Sequence, residues 1–235
     1  ANDTNTVFLL HSNTVSGSTN FSQSMGDSSY TGSLVGNHHS MSIVGHVSHS
    51  TEAAKFGGSS IYFPGSAYLD VRNGGTADFH FDSGSFTIEL WANLSGSANT
   101  TANQTSVLIS NGVGSGSYTT NGWALYYTGA SEKKVYLSTS QNITAGWAMD
   151  LAGAAELTSH NWHHIALSRD ASTLSAPITR MFVNGKIIGS FTDTDGMPES
   201  TSSLRLGSGG ETPGNYFKGY MDDIRISEGT ARYTT

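Results

Sequence analysis

The groups in this chain able to do chemistry are its carboxylates, its serines and histidines, and a few aromatic rings set among glycines. Cleavage of a glycosidic bond takes two carboxyl groups about 5 to 9 Å apart, which one strand supplies from acidic residues two positions apart on one face. No core strand here offers that spacing. Asp222 and Asp223 are adjacent, so in an extended strand they point to opposite sides and cannot act on one bond. A nucleophilic serine would stand in a Gly-x-Ser-x-Gly elbow between a strand and a helix. Gly114-Ser115-Gly116-Ser117 reads as a loop instead. Catalysis is not expected, and an enzyme acting on polysaccharide is kept only as an alternative.

His38, His39, His46 and His49 cluster, and His46-x-x-His49 has a spacing that suits zinc. No acidic or cysteine partner adjoins them to complete the three or four ligands a zinc site takes. His163 and His164 lie inside a strand pattern and are expected to be packing residues with satisfied ring nitrogens. Sugar binding asks for aromatic faces beside amide and carboxylate groups. Trp147, in the polar stretch 142–150, is the first candidate, followed by Tyr118 and Tyr216 in glycine-rich loops; the competing reading makes each a loop anchor. Trp91 and Trp162 are expected in the core, and Trp123 fits either place.

The elements that must position these groups are strands. Phe86, Ile88 and Leu90 alternate with Thr87, Glu89 and Trp91; Ile165 and Leu167, and Ile224 and Ile226, repeat the pattern. Period two is the signature of a half-buried strand. Asn184-Gly185 separates two such runs, and both residues tolerate the positive φ of a two-residue type I′ turn. The Ala-rich piece from Ala148 to Leu157 is the only stretch that suggests a helical turn. Segments 95–105 and 112–122 read as loops. Many short strands with frequent turns predict an all-β fold, a two-sheet antiparallel sandwich, in one domain spanning 1–235, with its variable loops at the rims.

Composition narrows the function. The 235 residues include 28 glycines and no cysteine, so disulfides and thiolate metal sites are excluded. A net charge of −7 with scattered Lys and Arg lacks the basic stripe of a nucleic-acid binder. No apolar run approaches the eighteen or so residues of a membrane span, so no membrane insertion is expected. The start, without Met, and the stop at Thr235 suggest a piece excised or processed from a longer protein.

Six motifs follow one another in order: Val7-Phe8-Leu9-Leu10-His11, Lys55-Phe56-Gly57-Gly58, Ser85-Phe86-Thr87-Ile88-Glu89-Leu90-Trp91, Trp162-His163-His164-Ile165-Ala166-Leu167-Ser168-Arg169-Asp170, Phe182-Val183-Asn184-Gly185, and Gly219-Tyr220-Met221-Asp222-Asp223-Ile224-Arg225-Ile226. This succession resembles the laminin G-like, concanavalin A-like lectin and glucanase jelly roll. Its wording, with Gly229-Thr230-Ala231-Arg232-Tyr233-Thr234 at the end, is similar to the version in tailed-bacteriophage structural proteins.

The resemblance implies several expectations. Glucanases of this fold carry a Glu-x-Asp-x-x-Glu strand motif that none of the glutamates here reproduces. Relatives with a structural Ca²⁺ hold it between an Asp of a "DSS" segment and the first Asp of the closing strand, here Asp27 and Asp222. The alternative gives Asp27 a turn cap and Asp222 backbone N–H groups. The chain departs from the family at Phe63-Pro64-Gly65-Ser66-Ala67-Tyr68-Leu69, where a carboxylate commonly precedes the tyrosine. The implied function is a non-enzymatic module on a virion surface, in a tail fibre, appendage or decoration, binding a host-surface polysaccharide through rim loops. It would act as a homo-oligomer or part of a larger assembly with other virion proteins. A purely architectural decoration protein and a secreted or cell-surface adhesin are the alternatives.

Overall fold

The structure, a computed structural model, describes residues 4–21, 39–72, 79–95, 105–112, 121–129, 134–140, 151–154, 157–173, 175–209 and 215–235. Its strands begin with β1 (Thr6–Leu10), β2 (Ser40–Val44), β3 (Ser48–Ser50), β4 (Ser60–Pro64) and β5 (Tyr68–Arg72). The middle of the chain forms β6 (Phe86–Leu94), β7 (Thr105–Asn111), β8 (Gly122–Thr128), β9 (Lys134–Ser140) and β10 (Leu151–Ala154). The last are β11 (Trp162–Asp170), β12 (Ile178–Val183), β13 (Lys186–Thr192), β14 (Leu204–Leu206) and β15 (Lys218–Glu228). No helix occurs among the described residues.

The strands make two antiparallel sheets. One runs β13-β12-β11-β6-β15-β4-β3, with β1 also paired to β15; the other runs β10-β9-β8-β7-β14-β5-β2. The all-β, two-sheet sandwich expected from the alternation is therefore the fold. On β6 every second residue, Phe86, Ile88, Leu90, Ala92 and Leu94, is buried against Leu69, Val71, Leu125, Leu137, Leu204 and Leu206 of the facing sheet. Full burial of each large apolar side chain stabilises by about 1.5–3 kcal/mol. The predicted hairpin is present: Asn184 and Gly185 have φ of 52° and 78°, and Val183 pairs with Lys186.

Two expectations change. The Ala-rich piece is a strand at Leu151–Ala154, paired along β9 from Leu137 to Lys134; Gly153 weakens a helix by about 1 kcal/mol, and a sheet edge satisfies the same backbone groups. Residues 148–150 and 155–156 of that piece lie outside the described residues. Trp91 and Trp162 are half-buried, because alternation turns them outward with Thr87 and Glu89. Trp123, left open between core and surface, is the fully buried tryptophan among the described residues.

The outward side of the first sheet is covered by the chain's last residues. Thr87 Oγ1 donates to the Thr230 carbonyl at 3.1 Å and accepts from the Arg232 amide at 2.9 Å. The Tyr233 hydroxyl donates to Glu89 Oε2 at 2.6 Å. Glu89 also takes Arg225 Nε at 2.7 Å and His164 Nε2 at 3.0 Å. Burial pushes this carboxyl up, but the bonds from His164 and Tyr233 and the charge of Arg225 outweigh it and hold it below its ordinary range.

Candidate functional site

Four arrangements in the structure involve residues with chemical potential. The first surrounds Asp222, which is fully buried on the outward side of β15. Its Oδ1 accepts the amides of Asp223 at 2.9 Å and Ser12 at 3.4 Å, its Oδ2 accepts the Phe56 amide at 3.1 Å, and His11 Nδ1 lies 3.2 Å from Oδ1. Burial pushes the carboxyl up, while the Phe56 amide and His11 oppose that shift. Donors on both oxygens fit a hydrogen-bonded carboxylate better than a calcium ligand. Among the described residues no three His, Asp or Glu side chains converge as metal ligands would. Asp27, the implied partner, lies outside the described residues.

The second arrangement looks like a nucleophile with its base. His49 Nε2 donates to the Asn20 carbonyl at 3.1 Å, so Nδ1 is the acceptor for the Ser12 hydroxyl at 2.7 Å. Ser59 Oγ, 2.8 Å from Ser12 Oγ, takes the Thr14 amide at 2.9 Å. Burial pushes the His49 ring down, toward its neutral form. A base this well oriented resembles half of a catalytic triad. Ser12 and Ser59 are both 0% exposed, however, and Asp222 contacts the Ser12 amide instead of the imidazole. The chain of bonds ties the segment after β1, β3 and the loop before β4 together and leaves a substrate no access to either buried serine. His163, held by Thr158 and Asn184, is likewise the satisfied packing residue expected.

A third arrangement was not foreseen. Loops before β6, before β8 and after β13 border an open groove of about 350 Å³ lined by Asp82, Asn121, Asp195, Met197, Pro198 and Glu199. A hydrogen bond to the Asp82 carboxylate and its charge raise the Glu199 carboxyl, with His80 opposing. The two carboxyl groups therefore interact across the groove, each on its own loop. Asp82 and Glu199 are far apart in sequence and sit on loops, so strand spacing gave no signal of them.

The fourth is the outward face of the second sheet. Tyr216, one of the sequence candidates, is half-buried there and stacks on Tyr68 with ring centroids 6.5 Å apart and planes 22° apart. The Arg205 guanidinium lies over Tyr68 at 5.0 Å. Arg205 also reaches Asp70 Oδ2 at 3.5 Å and donates to the Gly209 carbonyl at 3.1 Å. Tyr216 is bridged to Val107 of β7, and Val107 pairs with Tyr126 of β8. Tyr126 pairs with Tyr136 of β9, their rings stacked 5.2 Å apart and within 7° of parallel. Ser138 Oγ donates to the Tyr126 hydroxyl at 3.1 Å. With neighbouring strands about 4.8 Å apart, the four tyrosines span roughly 15–20 Å of sheet.

Trp147 and Tyr118 lie outside the described residues; Trp147 belongs to the connection from β9 to β10, and Tyr118 to that from β7 to β8. Tyr216 is thus the sequence candidate placed by the structure, and Tyr68, Tyr126 and Tyr136 were missed. The signal available for them was alternation itself: Tyr126 and Tyr136 occupy strand positions whose neighbours Leu125, Tyr127, Val135 and Leu137 are buried in the core.

Residues 63–232 match the model of the concanavalin A-like lectin/glucanases superfamily. No curated protein sequence matches the chain. Among solved structures, it is similar to the binding domain of Paraclostridial Mosquitocidal Protein 1, at 14% identity and a TM-score of 0.65, covering 95% of this chain and 49% of that one. It is also similar to the binding domain of Botulinum Neurotoxin DC in complex with SialylT, at 10% identity and a TM-score of 0.62, covering 95% and 48%. Domain 4 of an extracellular arabinanase from Geobacillus stearothermophilus, in complex with arabinotriose, superposes at 18% identity and a TM-score of 0.55, covering 81% and 83%. The chain thus spans about half the length of the first two of these structures.

Proposed function

We propose, from the premise that this chain belongs to the concanavalin A-like lectin/glucanases superfamily, that it is a non-enzymatic saccharide-binding module working through the tyrosine-lined face of its second sheet. The observation that carries this reading is the row of half-buried Tyr216, Tyr126 and Tyr136, with buried Tyr68 backing Tyr216 beside the Arg205–Asp70 pair. Aromatic faces take the C–H side of a sugar ring, while serine, carboxylate and guanidinium groups meet its hydroxyls. The fold supports the reading, since one similar domain is described in complex with arabinotriose.

An architectural module with no soluble ligand would display a broad apolar patch. The exposed large hydrophobics among the described residues are Val15, Val44, Phe56 and Ile187, each on a different segment, which favours the saccharide reading. The proposed setting is a virion surface, in a tail fibre, appendage or decoration, where several copies in an assembly raise a weak affinity by linkage; this rests on motif wording.

The test is a glycan array followed by titration of any retained saccharide. Tyr136→Ala and Tyr216→Ala, each folded by circular dichroism, are expected to weaken binding at least tenfold. Saccharide binding indifferent to both substitutions would refute this face as the site. Detection of the protein in purified tailed-phage particles by mass spectrometry tests the setting.

A further inference from the structure

Among the described residues, the strands of the saccharide face carry charge of a sign opposite to that of the chain as a whole. The full sequence has a net charge of −7. Yet the outward-facing charged residues of the second sheet, among those described, are Arg72, Lys134 and Arg205 against the single acid Asp70. Arg205 is committed to Asp70, the Gly209 carbonyl and the Tyr68 ring. Arg72 is exposed at the end of β5.

Lys134 differs from both. It is half-buried, and no described carboxylate pairs with it. It shares the outward face of β9 with Tyr136 and Ser138, because Val135 and Leu137 between them are buried in the core. Its cross-strand partner is Thr128, one step along the face from the Tyr126–Tyr136 pair. Lys134 thus stands two residues along the strand from a stacked tyrosine pair, a separation of about 7 Å that a lysine side chain can span toward a ring lying against Tyr136.

Resting on the reading of this face as a saccharide site, we infer that Lys134, Tyr136 and Tyr126 form a subsite for an acidic sugar, one whose ring lies on the tyrosines and whose carboxylate meets the Lys134 ammonium. A charge-assisted bond at a partly desolvated position is stronger than a neutral one. It also discriminates, because a neutral sugar leaves the ammonium without its partner. The acidic remainder of the surface then orients an anionic chain toward this one face.

The experiment combines an array of neutral and acidic oligosaccharides with titrations of oligogalacturonate and its methyl ester, which keeps the ring and removes the charge. The acid is expected to bind about tenfold more tightly than the ester at low salt, with the preference shrinking as salt rises. Lys134→Gln should abolish the preference and Lys134→Arg should keep most of it, with unchanged circular dichroism for both. Retention of neutral saccharides alone, or a preference that survives Lys134→Gln, overturns the inference; if Tyr136→Ala still abolishes binding, the saccharide reading stands. An array that retains nothing overturns both.

Discussion

Replacing Glu89 with Gln tests whether the closing segment of the chain is held by one buried carboxylate. Glu89 is 4% exposed and gathers Arg225 from β15, His164 from β11 and Tyr233 from the terminal segment. Removing one partner of a buried ion pair costs about 3–5 kcal/mol. The Arg225 side chain is 22% exposed, so water recovers part of its solvation and the lower figure, about 3 kcal/mol, is expected. At roughly 2–4 °C per kcal/mol for a chain of this size, Tm should fall by roughly 6–12 °C in thermal unfolding at pH 7.

The pH dependence supplies an independent check. Glu89 is held below its ordinary value of 4.5 in the folded chain. Its stabilisation is therefore fully present above that value and is lost as pH falls through the lower folded value. Wild type and Glu89→Gln should converge in acid, where the native carboxyl is protonated as well. A gap in Tm that persists unchanged into acid, or a loss below about 1 kcal/mol at pH 7, would refute the account of Glu89 as the anchor.

Two further substitutions probe the other buried arrangements. Asp222→Asn turns an amide N–H toward the Phe56 amide, and an orphaned buried donor costs about 1–3 kcal/mol; relief of the burial penalty on the charged form offsets part of this. Unfolding should reveal a loss of about 1–2 kcal/mol that is equal with calcium and with chelator, whereas a loss confined to calcium-containing buffer would establish an ion held with Asp27. Gly196→Ala places a methyl 2.0 Å from the Asp82 carbonyl at a residue with φ +82°. It should destabilise by more than about 1 kcal/mol and, by NMR titration, return the Glu199 carboxyl toward its ordinary range; an unchanged Tm would disprove the close approach at the groove.

The sequence by itself determined what depends on neighbours along the chain. Alternation at Phe86–Trp91 and Ile224–Ile226 set which side chains enter the core, because a strand's two faces are decided residue by residue. Asn184-Gly185 determined the hairpin, since the turn's backbone angles are a property of those two residues. Motif order pointed to the superfamily. Asp222 was legible as special, with both an ion and backbone amides open as its partners; Ser12 and Phe56, which supply two of those amides, arrive from loops far away in sequence.

Tertiary structure alone decided the rest. It turned Leu151–Ala154 into an edge strand, because pairing with β9 outweighs a weak local preference. It set Tyr216 on Tyr68, joined Ser12 to His49 while burying both, and brought Asp82 against Glu199. Cross-strand neighbours such as Tyr126, Tyr136 and Lys134 become a surface only when sheet register places them side by side, and register is set by the packing of the whole core.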